Sequence, residues 1–349
     1  MIRTKITRTF ALAGFVPASK LGHSYCGLLP VLALCVASAA WSQPASTFRG
    51  RGAPPNVFSG VQQPALAVAT PASAQYRFVS ISIPGSTGTF PYGINNAGLV
   101  TGLYSDASNN INGFVWQNGT SHTLDNPGSV DTALSGSVNN RGVNMAFYGD
   151  LTTAHAAMYS FWSGAWTTLP DISGMPNNEG YGINNSGVAV GVAGGGGDFS
   201  VPSAPAASWI WEPNSQSYSF FVVPEAEQYG TYAEALNDKG QIVGFYLDTS
   251  GVSHGFLKEG ETYTTIDVPG ATGTFPFNIN NSGTIVGQWA NLSGWAEGFV
   301  RTSDGVSTVV DVPGGLESVI GGIDDRGDIC GYWVDPKTGV WTAFVGLKL

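Results

Sequence analysis

Two glutamates, Glu179 and Glu234, read as opening the corresponding strands of neighbouring segments of the chain, and Glu225, Glu227, Tyr229 and Tyr232 lie just ahead of the second. Paired carboxylates can share a proton, act as general acid and base, or hold a cation. Tyrosines beside them add hydrogen-bonding groups and apolar faces for a ligand. Glu179 and Glu234 are therefore the acid–base candidates, and Glu225, Glu227, Tyr229 and Tyr232 the ligand-binding candidates. A second set is a column of side-chain oxygens: Asn95, Asn139, Asn184, Asn237, Asn280 and Asp324. Such oxygens are hard ligands, and a subset ringing a channel mouth could bind calcium, the one cofactor the sequence suggests. The same residues also suit Asx turns, each bonding to its own backbone.

Other motifs carry less. Gly251-Val252-Ser253-His254-Gly255 spells Gly-x-Ser-x-Gly, but a nucleophilic serine needs a strained strand-to-helix turn, and this stretch reads as a connection between strands. His155 and His254 occupy equivalent places in different repeats, too far apart to cooperate, and no His/Cys spacing suits zinc. The run Gly194-Gly195-Gly196-Gly197-Asp198 lacks the Lys-Ser/Thr of a phosphate loop and reads as a lid or slack.

The elements that position these residues follow from repetition. Segments such as Gly182-Ile183-Asn184-Asn185-Ser186-Gly187 and Asn278-Ile279-Asn280-Asn281-Ser282-Gly283 recur, and the column residues are spaced by 44, 45, 53, 43 and 44 positions. A period of this length marks a solenoid or a propeller. Each unit reads as four strands; in the fifth copy these are 274–279, 284–289, 296–301 and 307–312. Asn-x-x-Gly between the first two supplies an Asx turn and a positive-φ glycine. Runs such as Ile285-Val286 are apolar without alternation, as strands covered on both faces require. The sixth copy ends without its fourth strand, whereas residues 76–84 match a fourth strand and its exit. The expected fold is all-β: a six-bladed propeller of four-stranded antiparallel blades, its ring closed by the N-terminal strand. The connections entering each innermost strand and those joining the second and third strands should share one face, opposite the Asn-x-x-Gly hairpins.

Residues 236–244, followed by His254-Gly255-Phe256, resemble the HAF-type extracellular repeat, in which Ile-Asn-x-x-Gly-x-x-Val-Gly precedes a His-Ala-Phe or His-Gly-Phe strand. The resemblance spans residues 76–347 and implies a secreted or surface propeller without a settled reaction. The repeat's histidine persists only at His155 and His254; Asn112, Ala207, Glu297 and Thr342 replace it elsewhere.

Composition agrees: 48 glycines and 11 % charged residues favour short strands and tight turns over helices. Arg3, Lys5, Arg8 and Lys20 precede an uncharged run ending in Ala37-Ser38-Ala39, so residues 1–40 read as a secretory signal cleaved near Ala39. Residues 41–75, rich in Pro, Ala and Ser, read as a disordered linker, and 76–349 as the propeller. Without the leader, ten basic residues face 24 acidic ones, a net charge of −14. Nucleic acid and anionic membranes are then poor partners. The expectation is a secreted monomer that binds a glycan, peptide or small molecule across its loop-rich face. The alternative is a calcium-dependent hydrolase of lactones or other esters, with its metal in the propeller channel.

Overall fold

The computed structural model describes residues 75–149, 153–175, 177–194, 206–227, 230–292, 294 and 296–349. The expected leader, all but the last residue of the expected linker, Tyr229, and the glycine run beyond Gly194 lie outside them.

The chain opens with β1 (Tyr76–Ile81). Blade one follows as β2 (Ser86–Ile94), β3 (Val100–Asp106), β4 (Ile111–Gln117) and β5 (Thr120–Thr123). Blade two holds β6 (Asp131–Ala133), β7 (Val143–Gly149), β8 (Ala154–Ser160) and β9 (Ala165–Thr168). Blade three holds β10 (Asn177–Ile183), β11 (Ala189–Gly194), β12 (Ala206–Glu212) and β13 (Ser217–Phe221). Blade four holds β14 (Thr231–Leu236), β15 (Ile242–Leu247), β16 (Ser253–Glu259) and β17 (Thr262–Ile266). Blade five holds β18 (Gly273–Ile279), β19 (Ile285–Ala290), β20 (Ala296–Arg301) and β21 (Ser307–Val310). Blade six is completed from both ends, in the order β22 (Ser318–Ile323), β23 (Ile329–Val334), β24 (Trp341–Lys348) and β1.

These six four-stranded antiparallel sheets form a propeller, as the repeat requires. Closure is by the N-terminal strand, with Tyr76 opposite Lys348 and Ile81 opposite Ala343. That pairing removes an open sheet edge. Apolar clusters fill the wedges between blades; Ile94, Val100 and Phe114 of the first meet Ile81, Cys330, Ala343 and Val345 of the last. A separate cluster surrounds the axis with Phe90, Tyr92, Phe147, Tyr181, Phe245, Phe277 and Tyr332.

The innermost strand of five blades carries a bulge, at Tyr92, Tyr181, Glu234, Phe277 and Gly321, each the residue passed over where the register shifts. It explains the repeat's Val-Gly pair. A Cβ on Gly102, Gly191, Gly244, Gly287 or Gly331 would come within 2.0–2.3 Å of a carbonyl oxygen on the innermost strand. In blade two, whose β6 is only 3 residues long, Ala146 takes that place fully buried.

Candidate functional site

At the hairpin end of the axis, each column side chain is spent on its own turn. Asn95 Oδ1 accepts the N–H groups of Ala97 (3.0 Å) and Leu99 (3.1 Å), and Asn139 Oδ1 those of Arg141 (3.0 Å) and Val143 (2.9 Å). Asn184, Asn237, Asn280 and Asp324 repeat the pattern. Each Nδ2 then donates to the backbone carbonyl of the next blade's column residue, as from Asn95 to Asn139 (3.0 Å) and from Asn280 to Asp324 (2.9 Å). Asp324 has no amide to donate, and its other oxygen takes the Arg326 guanidinium (2.8 Å). Calcium needs six or more oxygen lone pairs aimed at one point. Here every column oxygen has N–H groups pointing at it, so the set does not fit a calcium cage; it forms turns and stitches blade to blade.

The side chains that do meet at the axis are one residue further on: Asn96, Asn140, Asn185, Asp238, Asn281 and Asp325. The backbone N–H of each donates to the Oδ1 of the next at 2.8–2.9 Å, and Asp325 returns to Asn96, closing the circle. With every Oδ1 fixed by an N–H, the four amide nitrogens turn inward and need acceptors. The two aspartates supply them. Asp238 Oδ2 accepts Asn185 (2.7 Å) and Asn281 (2.8 Å), and Asp325 Oδ2 accepts Asn96 (3.0 Å), Asn281 (3.2 Å) and Asn140 (3.3 Å). Burial opposes the Asp325 charge, but the hydrogen bonds from Asn281, Asn96 and Asn140 prevail and hold its acid below the usual range. This plug leaves a hollow of about 60 Å³. All six residues stand inside the repeated motif, where the neighbouring column's turn chemistry had already accounted for the pattern.

Deeper along the axis, blades three and four each replace an apolar residue by a carboxyl. Glu179 occupies the place of Phe90, Phe275 and Val319, and Glu234 the bulge place of Tyr92, Tyr181 and Phe277. Neither opens its strand, as the sequence reading expected; Glu179 is third in β10 and Glu234 lies mid-way along β14. Glu179 is fully buried, with Oε2 accepting the Tyr181 hydroxyl and Oε1 unpartnered among the described residues. Burial raises the Glu179 acid, against the Tyr181 hydrogen bond. Burial, then the Glu179 charge, raises Glu234. The Tyr181 phenol is pushed well up by burial and both carboxyls. Tyr232 goes up to about 12, by burial and then by Glu227 and Glu179.

The structure thus gathers Glu179, Glu234, Tyr181 and Tyr232, with Glu227 at the margin. Glu225 lies exposed on the preceding loop, apart from them. Tyr181 was missed by sequence reasoning, because the bulge it forms leaves no mark on the repeat period. Chemically, the cluster is a set of acids held neutral by burial, able to donate as well as accept hydrogen bonds.

The histidines pin loops. His155 Nδ1 meets Asp171 (3.0 Å); His254 Nδ1 meets Asp267 (3.0 Å), and its Nε2 meets Asp248 (3.5 Å). Ser253 begins β16 and sits on no strand-to-helix turn.

No family model matches the chain, and no curated protein matches it. Among solved structures, a protein of unknown function from Dyadobacter fermentans superposes with a TM-score of 0.51 at 11 % identity, covering 79 % of this chain and 99 % of that one. TolB from Acinetobacter baumannii gives 0.50 at 8 % identity over 71 % of this chain, which spans 63 % of the TolB chain. A gluconolactonase from Xanthomonas campestris gives 0.47 at 12 % identity, covering 83 % and 94 %. The likeness is one of fold.

Proposed function

We propose that this chain is a secreted recognition propeller that binds a neutral, hydroxyl-rich ligand such as a glycan on the loop-rich face over blades three and four. The carrying observation is the buried Glu179–Glu234–Tyr181 cluster. Burying two carboxyls where the same fold elsewhere accepts Phe, Tyr or Val costs stability, so packing alone does not account for them. Partly buried Tyr232 links the cluster to Glu227 and the loop surface. Acids kept neutral by burial pair with hydroxyl groups as donors and acceptors without demanding a charged partner. The HAF-type resemblance, the leader at 1–40 and the acidic mature charge support export and a role outside the cell. The calcium-dependent hydrolase loses its expected donor set, because the column oxygens already hold N–H groups.

A glycan array followed by saturation-transfer NMR on the mature chain tests this reading. Binding should weaken about tenfold in Tyr232→Phe or Glu227→Gln, the loss of one or two hydrogen bonds. Turnover of the bound compound that disappears in Glu179→Gln, or binding untouched by all these changes, would reject it.

A further inference from the structure

The loop-rich face has an opening of about 330 Å³ between blades five and six, and neither Glu179 nor Glu234 lines it. Its walls present Glu297, Asp311 and Glu317 together with Val312, Pro313 and Leu316, and no lysine or arginine. The place is built by the repeat. In blade four, His254 and Asp267 follow the register pair of Gly255 with Ile266 and meet at 3.0 Å. In blade five the corresponding register pair is Gly298 with Val310, so Glu297 and Asp311 hold the same two positions. Positions that carry an imidazole and a carboxylate in blade four carry two carboxyl groups in blade five.

Glu317 adds a third acid from the loop entering β22. It is only 5 % exposed; its Oε2 accepts the Ala296 N–H (3.3 Å), and its Oε1 has no partner among the described residues. Burial without a counter-charge raises this acid. Glu297 is steadied by a hydrogen bond from Asn291 Nδ2 (2.7 Å). Among the described residues no three such side chains converge tightly enough for a metal ion. A cavity of this size with an apolar side wall instead admits an alkyl stem carrying a cationic head.

We propose that this opening is a binding site for an organic cation, an alkylammonium or guanidinium group, whose head lies among Glu297, Asp311 and Glu317 while its stem runs along Val312, Pro313 and Leu316. It stands independently of the axial cluster and of the glycan reading.

Calorimetric titration of the full chain with agmatine, its uncharged analogue N-butylurea, and the capped tripeptide Ala-Arg-Ala tests it. Agmatine should bind and N-butylurea should not. Glu297→His restores the blade-four arrangement, which the fold houses at His254, so it should weaken agmatine at least tenfold without lowering the melting temperature. Asp311→Asn should weaken it similarly, and these two variants decide the matter if Glu317→Gln fails to fold. Tighter binding of the tripeptide than of agmatine makes a protein side chain the source of the cation; the reverse order makes it a free amine. No heat at millimolar agmatine, equal affinity for N-butylurea, or unchanged binding in both variants overturns the proposal.

Discussion

Neutralising the axial carboxyls should make this propeller more stable in alkaline solution than the parent. Glu179 and Glu234 are both raised to about 8, whereas an unfolded glutamate titrates near ~4.3. The folded state therefore keeps protons that the unfolded state releases, and stability falls as pH climbs from the unfolded value towards the folded one. One such proton is worth about 1.4 kcal/mol per pH unit, so roughly 4 kcal/mol is lost between pH 5 and 8. At ~2–4 °C per kcal/mol for a domain of this size, the melting temperature should drop by about 8–16 °C over that window, and by more if both groups titrate. Melts followed by circular dichroism from pH 5 to 8 read this directly. Glu179→Gln should shrink the slope, and Glu179→Gln with Glu234→Gln should flatten it. A parent melting temperature that is level or rises over this range, or a double variant with the parent's slope, refutes the argument. At lower pH the sign reverses: Asp325 is held below its usual range, so its contribution vanishes as acid protonates it.

Three further outcomes test the scaffold. Gly287→Ala would set a Cβ 2.1 Å from the Phe275 carbonyl oxygen, and should cost about 3 kcal/mol in urea unfolding. Asn139→Ala removes two turn hydrogen bonds and the bond to the Asn184 carbonyl (2.9 Å); about 2–3 kcal/mol should be lost, read as a lower denaturation midpoint. Deleting residues 75–81 strips Tyr76 and Ile81 from the core and bares the edge of β24. Light scattering should then show aggregates, and a monodisperse, fully folded product would contradict the closure argument.

The ring, the blade count and the closing strand were legible because they rest on spacing: a glycine that must turn with positive φ recurs wherever the hairpin does, as at Gly98 (71°) and Gly283 (85°). In the fifth copy the expected strands fall within a residue or two of β18 to β21. What the spacing hid was direction. Asn280 and Asn281 look interchangeable in the motif, yet the first folds back on its turn and the second reaches the axis. The bulge was equally hidden, since the skipped residue leaves no mark on the period, and so Glu234 reads as a strand opener. That Glu179 and Glu234 belong together was legible from their similar places in neighbouring repeats; that they are buried depends on packing against neighbouring blades.

Completion of blade six by both chain ends also sets a timetable. Ile81 must pair with Ala343, so β1 leaves the ribosome long before the strand beside which it pairs. At ~5–20 residues per second that interval is roughly 15–50 s. Throughout it, the outermost position of the sixth sheet stays vacant and the ring remains an open arc. Emergence of β24 thus allows the arc to become a closed body in a single step.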